Sequence, residues 1–305
     1  MRKLLLILFT LSSCLMMRAQ TKTGRDSLQQ LLKTSKEDSN KVKLLYQYGE
    51  FFEQESPDSA TFFYNKAKVL AEKTGYIMGV ANYSSYQIVI LNNKAKFREA
   101  LAVAIEALEI FKKHGNKRDL CVGNLNVGSE WEYLSDFSTA AEYYLKAKKI
   151  ADEIQDKRLQ RIISNNLASA YIQLKEEVKG LAYAKEAYSI ASAMKDKTAQ
   201  ANTLCNIGTA EIQLKNYDAA LKIFKEVNAI GAEENDNYNI ASGWLGMADA
   251  YKGKENFATA IKYYDTVLRF SKQEELPEFT MYADMGISEA LIKSGQYKNA
   301  ISYIN

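Results

Sequence analysis

Small and bulky side chains alternate along this chain with a fixed beat. Alanine stands at Ala60, Ala100, Ala140, Ala220, Ala260 and Ala300, each 40 residues or a multiple of 40 from the last, and Gly180 fills the remaining slot. Four residues after each comes Tyr64, Ala104, Tyr144, Ala184, Phe224, Tyr264 or Ile304. Seven after comes another small residue (Ala67, Ala107, Ala147, Ala187, Val227, Val267), and ten after comes Leu70, Ile110, Ile150, Ile190, Ile230 or Phe270. Offsets of this kind form a helical pattern. A fixed period in this range predicts an array in which each unit buries its face against its neighbours. The predicted class is all-α, a solenoid of helix-turn-helix repeats.

The same beat sets the boundaries. Units are expected to begin near Val42 and at Ile77, Lys117, Lys157, Lys197, Asn237 and Pro277. Each holds two helices of about 16 residues joined by a short polar turn. Residues 41–305 form the repeat region, about six full units and an incomplete seventh. Residues 20–40, with Leu28, Leu31 and Leu32, are expected to cap the first unit. Asn116, Asp156, Asp196 and Asp236 stand where first helices should start, and Asp136, Asn216 and Asn256 where second helices should start. Such side chains accept from the free N–H groups of a first turn. Ser56-Pro57 predicts another start, and Pro277 a further one, proline being tolerated at the first helical position. The chain stops at Asn305, inside a predicted second helix, so the expectation is that more sequence follows.

The residue types within a unit carry a resemblance. Gly128, Trp131, Ala140, Tyr144 and Ala147 in the third unit, and Leu204, Ile207, Gly208, Ala220 and Phe224 in the fifth, resemble the tetratricopeptide pattern of small and aromatic residues. The recurrent Ala and Gly slots favour this family over HEAT-type repeats. The unit here is longer, the usual late proline is missing, and Tyr48 and Ile88 stand where a small residue is expected. The resemblance implies a right-handed superhelix whose first helices line a concave surface for a protein or peptide. Asp26-Ser27-Leu28 and Ser56-Pro57-Asp58-Ser59-Ala60 also resemble the exported repeat regions of bacterial tetratricopeptide sensor histidine kinases and helix-turn-helix regulators. No output domain like theirs is present in these 305 residues.

Composition narrows the function. Arg2-Lys3, the apolar run Leu4 to Leu11 and the small residues before Gln20 read as a secretory signal at residues 1–19, cleaved after Ala19. Alternatively Leu11-Ser12-Ser13-Cys14 resembles a lipobox, which would make Cys14 a lipidated terminus. Either way the body is expected in the periplasm or cell envelope. Lys and Arg number 40 against 37 acids, and three of the positive residues (Arg2, Lys3, Arg18) belong to the leader. The body is therefore neutral, which gives no reason to expect nucleic acid or an anionic membrane surface. Membrane contact is expected only through a lipid anchor or a segment beyond Asn305.

Candidate chemistry is sparse. His114 is the single histidine, so no triad or metal framework can be assembled with Cys121 and Cys205. Gly123 to Gly128 has a glycine gap, but Ser129-Glu130 follow where a phosphate loop needs lysine and a hydroxyl. Glu176-Glu177 and Glu233-Glu234 read as solvated turns. No enzyme, cofactor or metal is predicted. The functional expectation falls on first helices, where Asn126, Asn166 and Asn206 recur with Ser129, Asn165, Ser169, Asn202 and Thr209 around them, and Gln173 and Gln213 recur at the same interval. An asparagine amide both donates and accepts, so a column of them suits an extended peptide backbone.

Overall fold

The computed structural model describes residues 24–52 and 56–303; the leader expected at residues 1–19, Cys14 and Ile304 lie outside them. An opening helix, α1 (24–34), precedes α2 (Ser39–Glu50), α3 (Pro57–Thr74), α4 (Ile77–Asn93), α5 (Phe97–His114) and α6 (Lys117–Tyr133). There follow α7 (Phe137–Glu153), α8 (Lys157–Gln173), α9 (Glu177–Ala193), α10 (Lys197–Gln213) and α11 (Tyr217–Glu234). The last are α12 (Asn237–Gly253), α13 (Phe257–Gln273), α14 (Pro277–Lys293) and the short α15 (Tyr297–Ala300). The described residues contain helices and turns and no strand. The chain divides into two compact units, one ending at Glu130 and one starting at Trp131.

The turns show why the beat is so regular. Gln155, Lys175, Lys195, Lys215, Asn235, Glu255 and Glu275, 20 residues apart, all adopt a left-handed backbone with φ between 56° and 63°. Such a residue ends a helix by letting the next N–H turn back to a free carbonyl. Asp156, Asp196 and Asp236 supply that N–H, to Ala151, Ala191 and Gly231 at 3.2, 3.1 and 2.8 Å. Their carboxylates then accept from Leu159, Ala199 and Asn239 at the start of the next helix. One aspartate thus closes one helix and opens another, which makes the connections short and the neighbouring helices antiparallel. Asn116 and Asp119 cap α6 reciprocally, each side chain accepting from the other's N–H at 3.0 Å.

Two expected caps differ. Asn216 does not cap α11; its amide donates to Glu211 at 2.8 Å. Ser56 makes no capping bond either, its hydroxyl being shared with Ser59 at 2.8 Å. The first repeat also starts earlier than Val42, at Ser39, because Asp38 caps Asn40 and Lys41. Leu31 remains exposed, so α1 buries less than its leucines suggest.

Packing within each unit follows the small slots. In the N-terminal unit Ala60, Ala67, Ala71, Tyr46 and Tyr64 share one core. The small contact expected at position 48 has moved one residue on: a Cβ at Gly49 would stand 2.4 Å from the Tyr64 ring. Tyr48 instead packs edge-on against Phe63. Ile88 is buried in the same unit as the small Ala104.

In the C-terminal unit each helix from α7 to α14 packs on the next, and the first helices α8, α10, α12 and α14 also touch side by side. Ala140, Ala220 and Ala260 are all fully buried, as are Tyr144 and Tyr264. Phe224 of α11 lies between two helices: a Cβ at Gly208 of α10 would be 2.6 Å from its ring, and one at Gly246 of α12 2.2 Å. Tyr264 meets Gly286 of α14 in the same way. A ring held in this slot cannot swing aside, because the interior is close-packed.

Gly208→Ala is expected to destabilise the chain by about 1–3 kcal/mol through overpacking, although alanine favours a helix by ~1 kcal/mol over glycine. Adding Phe224→Leu should restore part of the loss. Urea unfolding followed by circular dichroism checks both; a stabilised Gly208→Ala chain would contradict the seam.

Candidate functional site

The first helices of the C-terminal unit place equivalent residues in rows 40 positions apart. One row reads Asn166, Asn206, Gly246, Gly286; its neighbours read Asn165, Cys205, Leu245, Met285 and Ile162, Asn202, Ser242, Tyr282. Two adjoining concavities open on this face. The first, about 490 Å³, is lined by Glu132, Asn165, Asn166, Ser169, Asn202, Asn206, Asp236 and, at the join, Cys205, Tyr238 and Ser242. The second, about 420 Å³, continues past the same three residues to Thr209, Gln213, Leu245, Gly246, Asp249, Lys252, Phe279, Tyr282 and Lys293.

Hydrogen bonds divide the polar lining into occupied and unoccupied groups. Asn206 donates to both the backbone carbonyl and the side-chain oxygen of Asn165, at 3.1 and 2.9 Å, tying α10 to α8. Ser169 donates to Glu132 at 2.7 Å, and Thr209 to the Cys205 carbonyl at 2.9 Å. Glu132 also accepts from the Tyr144 hydroxyl. Asn166 and Asn202 have no hydrogen-bond partner among the described residues. Gln213 lines the second concavity, and its side-chain oxygen is buried without a donor. A buried acceptor left unpaired costs about 1–3 kcal/mol.

The charges are mostly neutralised within the protein. Asp249 accepts from the Tyr264 hydroxyl and pairs with Lys252 at 3.1 Å, and Lys252 also reaches Glu289 at 2.9 Å. Burial pulls the Lys252 ammonium down, but Asp249 and Glu289 outweigh it and hold its pKa above the ordinary value. Burial, then the Asp249 carboxylate, pushes the Tyr264 phenol up. The Cys205 thiol is pushed up to about 12 by burial, against a hydrogen bond from Ser242, so it stays neutral and unreactive at physiological pH.

The sequence-predicted residues therefore separate. Asn165, Asn166, Ser169, Asn202 and Asn206 meet in one concavity, with Thr209 and Gln213 in the next. Gln173 is exposed at the end of α8 and lines neither. Asn126 and Ser129 belong to the N-terminal unit, where Asn126 donates to Ser85 at 3.4 Å and Ser129 to the Leu125 carbonyl at 3.1 Å. Sequence reasoning missed Tyr238, Ser242, Leu245, Lys252, Phe279 and Tyr282. The signal was present, since Ser242 and Tyr282 continue the Asn202 row, but aromatic and apolar residues on a helix read as core. Gly123 to Gly128 lie inside α6, as packing glycines should, and His114 ends α5. Among the described residues no three His, Cys, Asp or Glu side chains cluster closely enough to hold a metal, and no helix is long and apolar enough to cross a membrane.

Residues 159–231 and again 241–274 match the tetratricopeptide repeat family. The C-terminal unit therefore carries tetratricopeptide repeats. No curated sequence matches the chain significantly. Its repeats are similar in structure to a Rap protein complexed with Competence and Sporulation Factor, with a TM-score of 0.73, 13% identity, and 94% of this chain and 90% of that one covered. They are also similar to NprR in complex with its cognate peptide NprX (TM-score 0.62, 18% identity, 74% and 65% covered). A STAND protein with a tetratricopeptide repeat sensor from Pyrococcus horikoshii gives a TM-score of 0.62 at 22% identity over 87% of this chain. The chain spans 42% of that protein's length. At such identities the likeness shows the fold alone.

The tetratricopeptide asparagines are thus of two kinds. Asn206→Ala, which breaks a tie between helices, should lower stability by about 1 kcal/mol. Asn202→Ala, exposed and unpartnered, should change it by less than about 0.5 kcal/mol. Urea midpoints of the two variants check the division, and equal losses would refute it.

Proposed function

We propose that this protein is a noncatalytic tetratricopeptide scaffold that binds a peptide or protein segment in the bacterial cell envelope. The observation that carries the reading is the unfilled hydrogen-bonding capacity of the groove: Asn166 and Asn202 line a concave surface and lack intramolecular partners among the described residues. Amides of this kind pair with an extended backbone whatever its side chains. The complex of NprR with its cognate peptide is in keeping with this. The neutral body argues against nucleic acid as a partner. The leader at residues 1–19 supports export, with cleavage after Ala19 or lipidation of Cys14 as the two routes.

A second reading is that the chain is the sensory input region of a histidine kinase or transcriptional regulator. The likeness to a STAND protein that carries a tetratricopeptide repeat sensor favours it. Both readings use the same groove and differ in what the bound peptide controls.

Peptides selected from a phage-displayed random library on the purified chain should bind the Asn166→Ala/Asn202→Ala variant about tenfold more weakly, the loss of roughly two hydrogen bonds, at unchanged helicity. Unchanged affinity would refute the asparagine reading. Intact mass of the product from bacterial envelopes should show a terminus at Gln20 or a lipid-modified Cys14; a cytosolic product retaining residues 1–19 would refute export.

A further inference from the structure

The rows of the groove change character along the C-terminal unit. Asn166 and Asn206 give way to Gly246 and Gly286, Asn165 to Leu245, and Asn202 to Ser242 and then Tyr282. At Gly246 the groove floor has no side chain, because the Phe224 ring beneath leaves no space for a Cβ. Tyr238 and Tyr282 stand beside this floor about half exposed, at 53% and 49%, although both are large aromatics. Tyr238 is braced edge-on against Phe279 at 4.9 Å. Rigid rings around a recess of this size make an anchor site, since aromatic walls bury much area at small entropic cost.

Apart from the exposed Lys293, the ionic groups of the same recess are already engaged. Asp249 is held by Tyr264 and Lys252, and Lys252 by Asp249 and Glu289; in the adjoining concavity Asp236 is held by the α12 N-terminus. Cys205 is neutral. A ligand charge directed at Asp249 or Lys252 would have to break these pairs, whereas an apolar side chain displaces only water from the rings and the bare glycine.

Resting on the peptide-binding reading above, we infer that the groove is bipartite and selects for one large apolar side chain. The asparagine half on α8 and α10 holds the backbone of an extended peptide. The half on α10, α12 and α14 takes a bulky aliphatic or aromatic side chain between Tyr238, Leu245 and Tyr282. Specificity comes from apolar burial and not from charge.

The test uses the full chain and a phage-displayed random peptide library. Selected peptides should share one position enriched in Leu, Met, Phe, Tyr or Trp. Tyr282→Ala should weaken a selected peptide by about tenfold and flatten that preference, while Tyr282→Phe, which keeps the ring, should retain both. Asn166→Ala/Asn202→Ala should weaken binding with the preference intact. Raising NaCl from about 50 to 500 mM should change Kd less than about threefold, since few exposed charges are involved. A charged consensus, a steep salt dependence, or full affinity in Tyr282→Ala overturns the inference and leaves the peptide-binding reading standing. Failure to select any peptide overturns both.

Discussion

One contact organises the C-terminal unit: an aromatic ring on a second helix wedged between the first helix of its own repeat and that of the next. Phe224 needs a glycine on each side, at Gly208 and Gly246, and Tyr264 needs one at Gly286. The ring fills the gap that small residues open, and the small residues let the helices close on the ring. Neither half of the pair is stable without the other, so the 40-residue beat is imposed by packing as much as by the turns. Those turns cooperate, each aspartate closing one helix and opening the next within a short connection.

The same contact shapes the groove. Where a wedge ring lies against a glycine, no side chain can rise from that position, and the floor drops. Where the equivalent residue is asparagine, as at Asn166 and Asn206, the amide rises from the face instead. The steric demand of the core therefore decides which stretch of the surface is polar and which is an apolar recess.

Much of this was legible in the sequence. The period, the small slots and most caps follow from local rules that act within 40 residues, and the helices from α4 to α14 begin where the beat places them. The readings that missed depended on what lies across a helix boundary. Asn216 has the right type and place for a cap, but Glu211 competes for its amide. Tyr48 stands in a small slot because Gly49, one residue along, has taken over the contact with Tyr64. Asn126 and Asn206 recur in sequence as free groove amides, yet each is spent between helices, donating to Ser85 of α4 and to Asn165 of α8, 41 positions earlier. Tyr238 and Tyr282 show the reverse difficulty, for periodicity cannot tell a buried ring from one left standing beside a groove.

Hydrogen exchange in Phe224→Ala addresses the wedge most directly. If the ring couples adjoining repeats, amides of α10, α11 and α12 lose protection together, while those of α14, held by Tyr264, stay close to wild type. Loss confined to α11, or spread evenly from α7 to α14, would contradict the account.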